Sequence, residues 1–149
     1  MNQAAERIES LKAGIASAAG AAIVWSGLQL GAIWAIFPEL DGQVWQRALW
    51  SPETGLQLGI AIFSGFLFGV TYRYIVRSDR NTHLRSGAAG AFGLVRGLAE
   101  IDRSLLQAPI WASALVLLEN LLLFGLLSLW LDWLLQKGWL QEFGANLED

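Results

Sequence analysis

Residues 13–37, AGIASAAGAAIVWSGLQLGAIWAIF, run for 25 residues without a charge. At about 1.5 Å of rise per helical residue, such a run crosses a hydrocarbon core of roughly 30 Å with room to tilt. A cleaved signal peptide would have an apolar region of about 7–15 residues ending in small residues. Here the small residues come first, and Trp34 and Phe37 come last. The run reads as an uncleaved membrane helix.

Two more runs extend this reading. Residues 55–76 and 109–131 are also long and apolar, with Tyr72 and Tyr74 closing the first of them. Charged residues make up 15% of the chain, against roughly 25% in a soluble domain, which fits a chain built for lipid. The expected fold is all-α: one polytopic helical membrane domain, residues 1–149, with three transmembrane helices. Between the first two spans, residues 43–50 predict a short outer interfacial helix anchored by Trp45 and Trp50.

Residues 84–106 are different in kind. On a helical wheel Arg85, Arg96 and Arg103 fall within roughly 20° of one another, and Leu84, Ala88, Ala91, Val95, Leu98 and Leu105 fill the opposite arc. This predicts an inner basic amphipathic helix lying in the membrane interface. A fourth span, burying Arg96 against a carboxylate, is the alternative. Arg73, Arg77, Arg80, Arg85, Arg96 and Arg103 form the expected basic surface, a contact for anionic lipid or an acidic partner, or an ordinary positive flank. With Arg7 and Lys12 they put the N-terminus and residues 73–107 on the cytoplasmic or stroma-like side. Three crossings then leave the acidic tail on the other side, with Trp34, Trp45, Trp50, Trp130, Trp133 and Trp139 near one outer interface.

Glycines recur four apart: Gly27 and Gly31, Gly55 and Gly59, Gly65 and Gly69, Gly93 and Gly97. In a membrane helix this spacing makes a flat groove where backbones approach closely, so all eight are expected to pack helices. Each groove serves either packing within the chain or docking of another protein's helix. The first two pairs belong to a repeated pentamer, Gly-Leu-Gln-Leu-Gly, and read as faces of neighbouring antiparallel helices. Within the third span Glu119 lies ten residues past Pro109, roughly 15 Å deep, where a carboxylate is costly and marks a candidate site. Ser26, Ser64 and Asn120 come out at a similar depth and complete a candidate polar layer. That layer is read as a hydrogen-bonded clasp, an ion-pair contact to a partner or to Arg96, or a proton or pigment site.

The chain has no cysteine and one histidine, His83, so no thiolate nucleophile, disulfide framework or His-rich metal cage is expected. Phosphate-loop, HExxH and GxSxG signatures are absent from the sequence. The arginines carry no aromatic stacking platform, so no nucleic-acid partner is expected. Neither enzymatic activity nor a cofactor is expected.

Tyr72-Arg73-Tyr74, His83-Leu84 with Ser86-Gly87, and Ala91-Phe92-Gly93-Leu94-Val95-Arg96-Gly97 lie in the stretch 69–102. This stretch resembles a small conserved thylakoid membrane protein family of cyanobacteria with plastid relatives. The resemblance implies a thylakoid location and an association with photosynthetic membranes, and no catalytic residue. The functional expectation is a non-enzymatic accessory or assembly factor. Its partners would be the lipid bilayer and a membrane protein complex, or further copies of itself. A small oligomeric channel or transporter subunit using Glu119 is the alternative.

Overall fold

Local signals set the helix ends. Ser51 caps the second helix, its Oγ accepting from the Thr54 backbone N–H at 3.2 Å, and Pro52 follows where a missing N–H does no harm. The last helix closes in a Schellman turn. The Trp139 N–H donates to the Leu134 carbonyl and the Gly138 N–H to that of Leu135, with Gly138 at φ 73°, a conformation that favours glycine. In the computed structural model the backbone is described for residues 3–36, 51–76, 82–104 and 109–141, and side chains for 6–32, 51–76, 83–102 and 109–141. Among these residues there are four helices: α1 (Gln3–Ile36), α2 (Pro52–Ile75), α3 (Thr82–Ser104) and α4 (Ile110–Gln136). The expected 43–50 helix, Arg77, Arg80 and the side chain of Arg103 lie outside them.

As expected, α1, α2 and α4 are each long and apolar enough to cross a membrane, which fits a multi-pass integral membrane protein. α1 and α2 form one antiparallel hairpin. Gly65 sits against Ala21 and Gly69 against the Ala13 carbonyl and Ser17, so the two backbones nearly touch. α3 and α4 form the other, with Gly93 against Leu121 and Gly97 against Leu117. Gly20 of α1 admits Leu127 and Trp130 of α4 and joins the hairpins.

The other two glycine pairs pack against no helix among the described residues. Gly27 and Gly31 on α1 are exposed, and nothing lies within 4 Å of a Cβ added at either. Gly55 and Gly59 on α2 are exposed and equally open. At this level Val24, Leu28 and Leu58 turn to the core, and the glycines lie on exposed faces.

The direction of α4 fixes how α3 runs against it. Phe68 meets Phe124 and Tyr72 meets Asp132, so α2 and α4 run parallel. Three crossings would have made them antiparallel. Helix α3 therefore runs back between them, along the length of α4, and does not lie across the bundle's end. The four helices run in an up-down-up-down order, and α1, α2 and α4 are the three long and apolar enough to cross a membrane.

The faces of α3 agree with this placement. Its arginines turn inward: Arg85 reaches Asp132 and Arg96 reaches Asn120. Its outer face is apolar, with Val95 70% and Leu98 57% exposed. An interfacial helix would show its charges to water. This helix hides them against protein and shows leucine and valine outward, as lipid demands.

Both ends of the described chain consequently lie at one end of the bundle, joined by Arg73, which contacts Glu6 and Gln141. Trp130, Trp133 and Trp139 sit toward this end and exposed Trp111 toward the other, and the side chains of Trp34, Trp45 and Trp50 lie outside the described residues.

Two tests follow. Because the chain lacks cysteine, single variants Arg7→Cys, Trp139→Cys and Glu53→Cys give clean labelling by a membrane-impermeant maleimide. Positions 7 and 139 are expected to label from one side and 53 from the other. Gly69→Val, which drives methyl groups into the α1 backbone, is expected to lose about 2–3 kcal/mol in detergent unfolding. Gly27→Ala, with open space before it, is expected to be neutral or to gain up to about 1 kcal/mol.

Candidate functional site

The polar residues of the bundle gather in layers. The deepest forms around Arg96. Its Nε donates to Asn120 Oδ1 at 2.7 Å and its Nη1 to Ser64 Oγ at 3.0 Å. Asn120 Nδ2 donates to Glu100 Oε2 at 3.0 Å and to the Val116 carbonyl at 2.9 Å. Asn120, only 3% exposed, thus has both amide hydrogens and its oxygen engaged. Ser64 also donates to the Ala61 carbonyl of its own helix. The layer links α2, α3 and α4 through one guanidinium.

The glycines of α3 make this reach possible. At Gly97 an added Cβ would stand 2.8 Å from Leu117 and 3.5 Å from the Asn120 Cβ. Only a bare backbone lets the short asparagine meet both Arg96 and Glu100 on the facing helix. The four-residue glycine spacing and the polar layer are one device.

Of the expected polar layer, Ser64 and Asn120 are brought together, with Arg96 between them. Glu119 is half-buried, within Coulomb range of Arg96 and Glu100, and makes no hydrogen bond to a described residue. Ser26 is half-buried on α1 and is not joined to the layer among the described residues. Glu100, which sequence reasoning saw only as a neighbour of the arginines, is a full member.

Beyond this layer the core turns apolar. Phe68, Phe92 and Phe124, one from each of α2, α3 and α4, pack edge-on or tilted with ring centroids 5.2–5.6 Å apart. Past them lies a second polar layer. Tyr72 Oη donates to Asp132 Oδ1 at 2.9 Å, and Arg85 Nη1 donates to the same oxygen at 3.0 Å. Asp132 was missed in the sequence. Its signal was a carboxylate between Trp130 and Trp133, one turn before the end of an apolar helix.

Arg73 closes that end. It was expected on the surface and is 2% exposed. Its Nη2 donates to Glu6 Oε2 at 2.6 Å, Nη1 to Ser10 Oγ at 2.7 Å and the Glu6 carbonyl at 3.0 Å, and Nε to the Gln141 carbonyl at 2.9 Å. Arg73, Arg85 and Arg96 therefore form no basic surface: all three are spent inside the bundle, because a cation in lipid is least costly when it faces protein.

The glycine pairs divide in two around these layers. Gly65 with Gly69, and Gly93 with Gly97, are filled from within the chain, by α1 and α4. Among the described residues the two Gly-Leu-Gln-Leu-Gly copies are open: Gly27 with Gly31, and Gly55 with Gly59. The register of the α1–α2 hairpin sets the two copies at one level, at the end away from Arg73.

Among the described residues no three His, Asp or Glu side chains converge as a metal site. No family model, curated protein or solved structure matches the chain.

The Arg96 layer is open to a double-mutant cycle. Arg96→Met and Asn120→Leu are each expected to destabilise the protein by about 2–4 kcal/mol, since each strands polar groups of the other. The double variant should fall short of their sum by about 1–2 kcal/mol. Unfolding in mixed detergent micelles measures both; strict additivity would rule out the coupling.

Proposed function

We propose that the protein is a non-enzymatic, multi-pass membrane protein that docks helices of a larger membrane complex through the exposed glycine faces of α1 and α2. One observation carries this reading. The same four-residue glycine spacing is filled inside the chain on two helix pairs, and is open, among the described residues, at Gly27 and Gly31 and at Gly55 and Gly59. An unfilled groove of this kind in lipid favours a closely approaching helix by van der Waals contact. Half-buried Gln29 and Gln57, two residues from each glycine, turn to the opposite side of their helices.

The channel alternative using Glu119 is weaker on this geometry. Phe68, Phe92 and Phe124 fill the core between the two polar layers, so a route through one bundle would have to pass aromatic rings.

The membrane we favour is a photosynthetic one, on the resemblance of residues 69–102 to the thylakoid family. Lys and Arg positions give the orientation. Arg7, Lys12, Arg73, Arg77, Arg80, Arg85 and Lys137 belong by sequence to the end that holds both termini, against Arg47 and Arg103 at the other. The end with the termini then faces the cytoplasmic or stroma-like side.

Native gels of membranes solubilised in mild detergent test the docking. The protein is expected to co-migrate with a large complex. Two paired variants, Gly27→Leu with Gly31→Leu and Gly55→Leu with Gly59→Leu, should release it while leaving its unfolding midpoint unchanged. Migration of the original chain as free protein would overturn the reading.

A further inference from the structure

The two hairpins meet mainly through α1 and α4, while α2 and α3 touch along a short stretch. Where α2 and α3 part, a notch of about 80 Å³ opens outward, lined by Gln57, Ile60, Arg96, Ala99 and Glu100. One water takes about 10–15 Å³ of such space, so the notch has room for the end of one further side chain. Its polar walls are only partly engaged. Glu100 accepts from Asn120 at Oε2, and its Oε1 has no partner among the described residues. Half-buried Gln57 lines the same notch, and its amide makes no hydrogen bond to a described residue.

Depth and hydrogen-bond balance narrow the occupant. Gln57 lies five residues past the start of α2 and Glu100 four before the end of α3, about 6–8 Å inside the helix ends. The Arg96 guanidinium lies deeper, level with Ser64 and Asn120. Polar groups left unpaired at such depths are costly, and a membrane interface satisfies them with hydrogen bonds between helices. The missing group must donate an N–H to Glu100 and accept one from Gln57, without adding a charge beside Arg96 and Glu100. A carboxamide does both, and this chain carries one at the right depth: Gln57 itself. Two copies insert with one orientation, set by the same Lys and Arg. A two-fold axis between them then runs along the bilayer normal, and every residue meets the other copy at its own depth.

We propose that two copies of the chain pair through the α2–α3 face, each seating the Gln57 amide of the other in its notch. The two amides bond to each other across the axis, one N–H to one oxygen in each direction. The second N–H of each amide goes to Glu100 Oε1 of the other copy, so donors and acceptors balance. Exposed Ile60 and Leu67 of α2 and Val95 of α3 supply the apolar rim of the contact. Gln57 turns away from Gly55 and Gly59 on α2, so this face is separate from the glycine faces and leaves them free for a larger complex.

Disulfide trapping tests this, because the chain lacks cysteine. Ile60→Cys, oxidised in membranes with copper phenanthroline, is expected to give a covalent dimer. Ile23→Cys, on the outer face of α1 and 70% exposed, should stay monomeric. Energy transfer between fluorescently labelled copies in lipid vesicles gives the dissociation constant. Gln57→Leu is expected to weaken the dimer about tenfold, the worth of interhelical hydrogen bonds in a membrane, while the unfolding midpoint stays unchanged. Gly55→Leu with Gly59→Leu should dimerise as the original chain does, which separates this contact from glycine docking. Trapping at position 23 as strong as at 60, a dimer indifferent to Gln57→Leu, a dimer lost with the glycine variants, or a monomer at every protein-to-lipid ratio would each overturn the proposal.

Discussion

The contact of Arg96 with Asn120 and Ser64 fixes more of this structure than any apolar contact does. A charged side chain near a bilayer centre costs about 2.5–3.5 kcal/mol even by lenient measures, so it must face protein. Facing protein requires α3 to lie alongside α4 over its length, which requires the backbones to approach closely. Gly93 and Gly97 supply that approach. Once Arg96 and Arg85 point inward, the opposite arc of α3 must be apolar, and it is. Once α3 runs along α4, the chain has crossed back, and α4 must run parallel to α2. The apolar outer face of α3 and the meeting of the termini both follow from one inward-facing cation.

The glycine pairs obey a similar logic of complementarity. A groove holds only if a ridge fills it. Ala13, Ser17 and Ala21 are small ridges that fit Gly65 and Gly69, and Leu117 and Leu121 are larger ones for Gly93 and Gly97. At the level of the repeated pentamer, Leu28 and Leu58 pack against the core, and Gly27, Gly31, Gly55 and Gly59 meet no ridge among the described residues. The motif is the same in all four pairs, and the opposing sequence decides which are filled.

This explains how far the sequence could be read. Three spans were legible because length and apolar content alone identify them. The depth of Ser64 and Asn120 was legible too, since rise per residue converts position to depth. What stayed open was the environment of α3, interface or fourth span. A helical wheel shows that a helix has two faces and does not say which solvent each one meets. Polar-outward and polar-inward helices give the same wheel. Arg73 was hidden by its place at a helix end, where arginines ordinarily snorkel to water. Spacing named Gly31 and Gly59 as packing residues but carries no information about the opposing helix, and that is why they stand open. Ser26 had the right depth but not the right face, and depth arithmetic carries no angle.

The two ends of the bundle are consequently unlike. At the end holding the termini, Arg73, Arg85, Asp132 and Glu6 tie all four helices together, and the Gly138 turn brings the Gln141 carbonyl onto Arg73. Partly buried ion pairs with good geometry resist opening, because parting them leaves charges stranded in low dielectric. The other end has no such tie among the described residues. There the helices present open glycine faces, two glutamines and the notch beside Arg96. Regions with few buried apolar contacts open most easily and are where proteins place binding surfaces. The aromatic layer of Phe68, Phe92 and Phe124 separates these ends, so a change at the open face reaches the locked end only through packed rings. Binding at the open face can therefore reorganise that half while the charged clasp keeps the four helices in register.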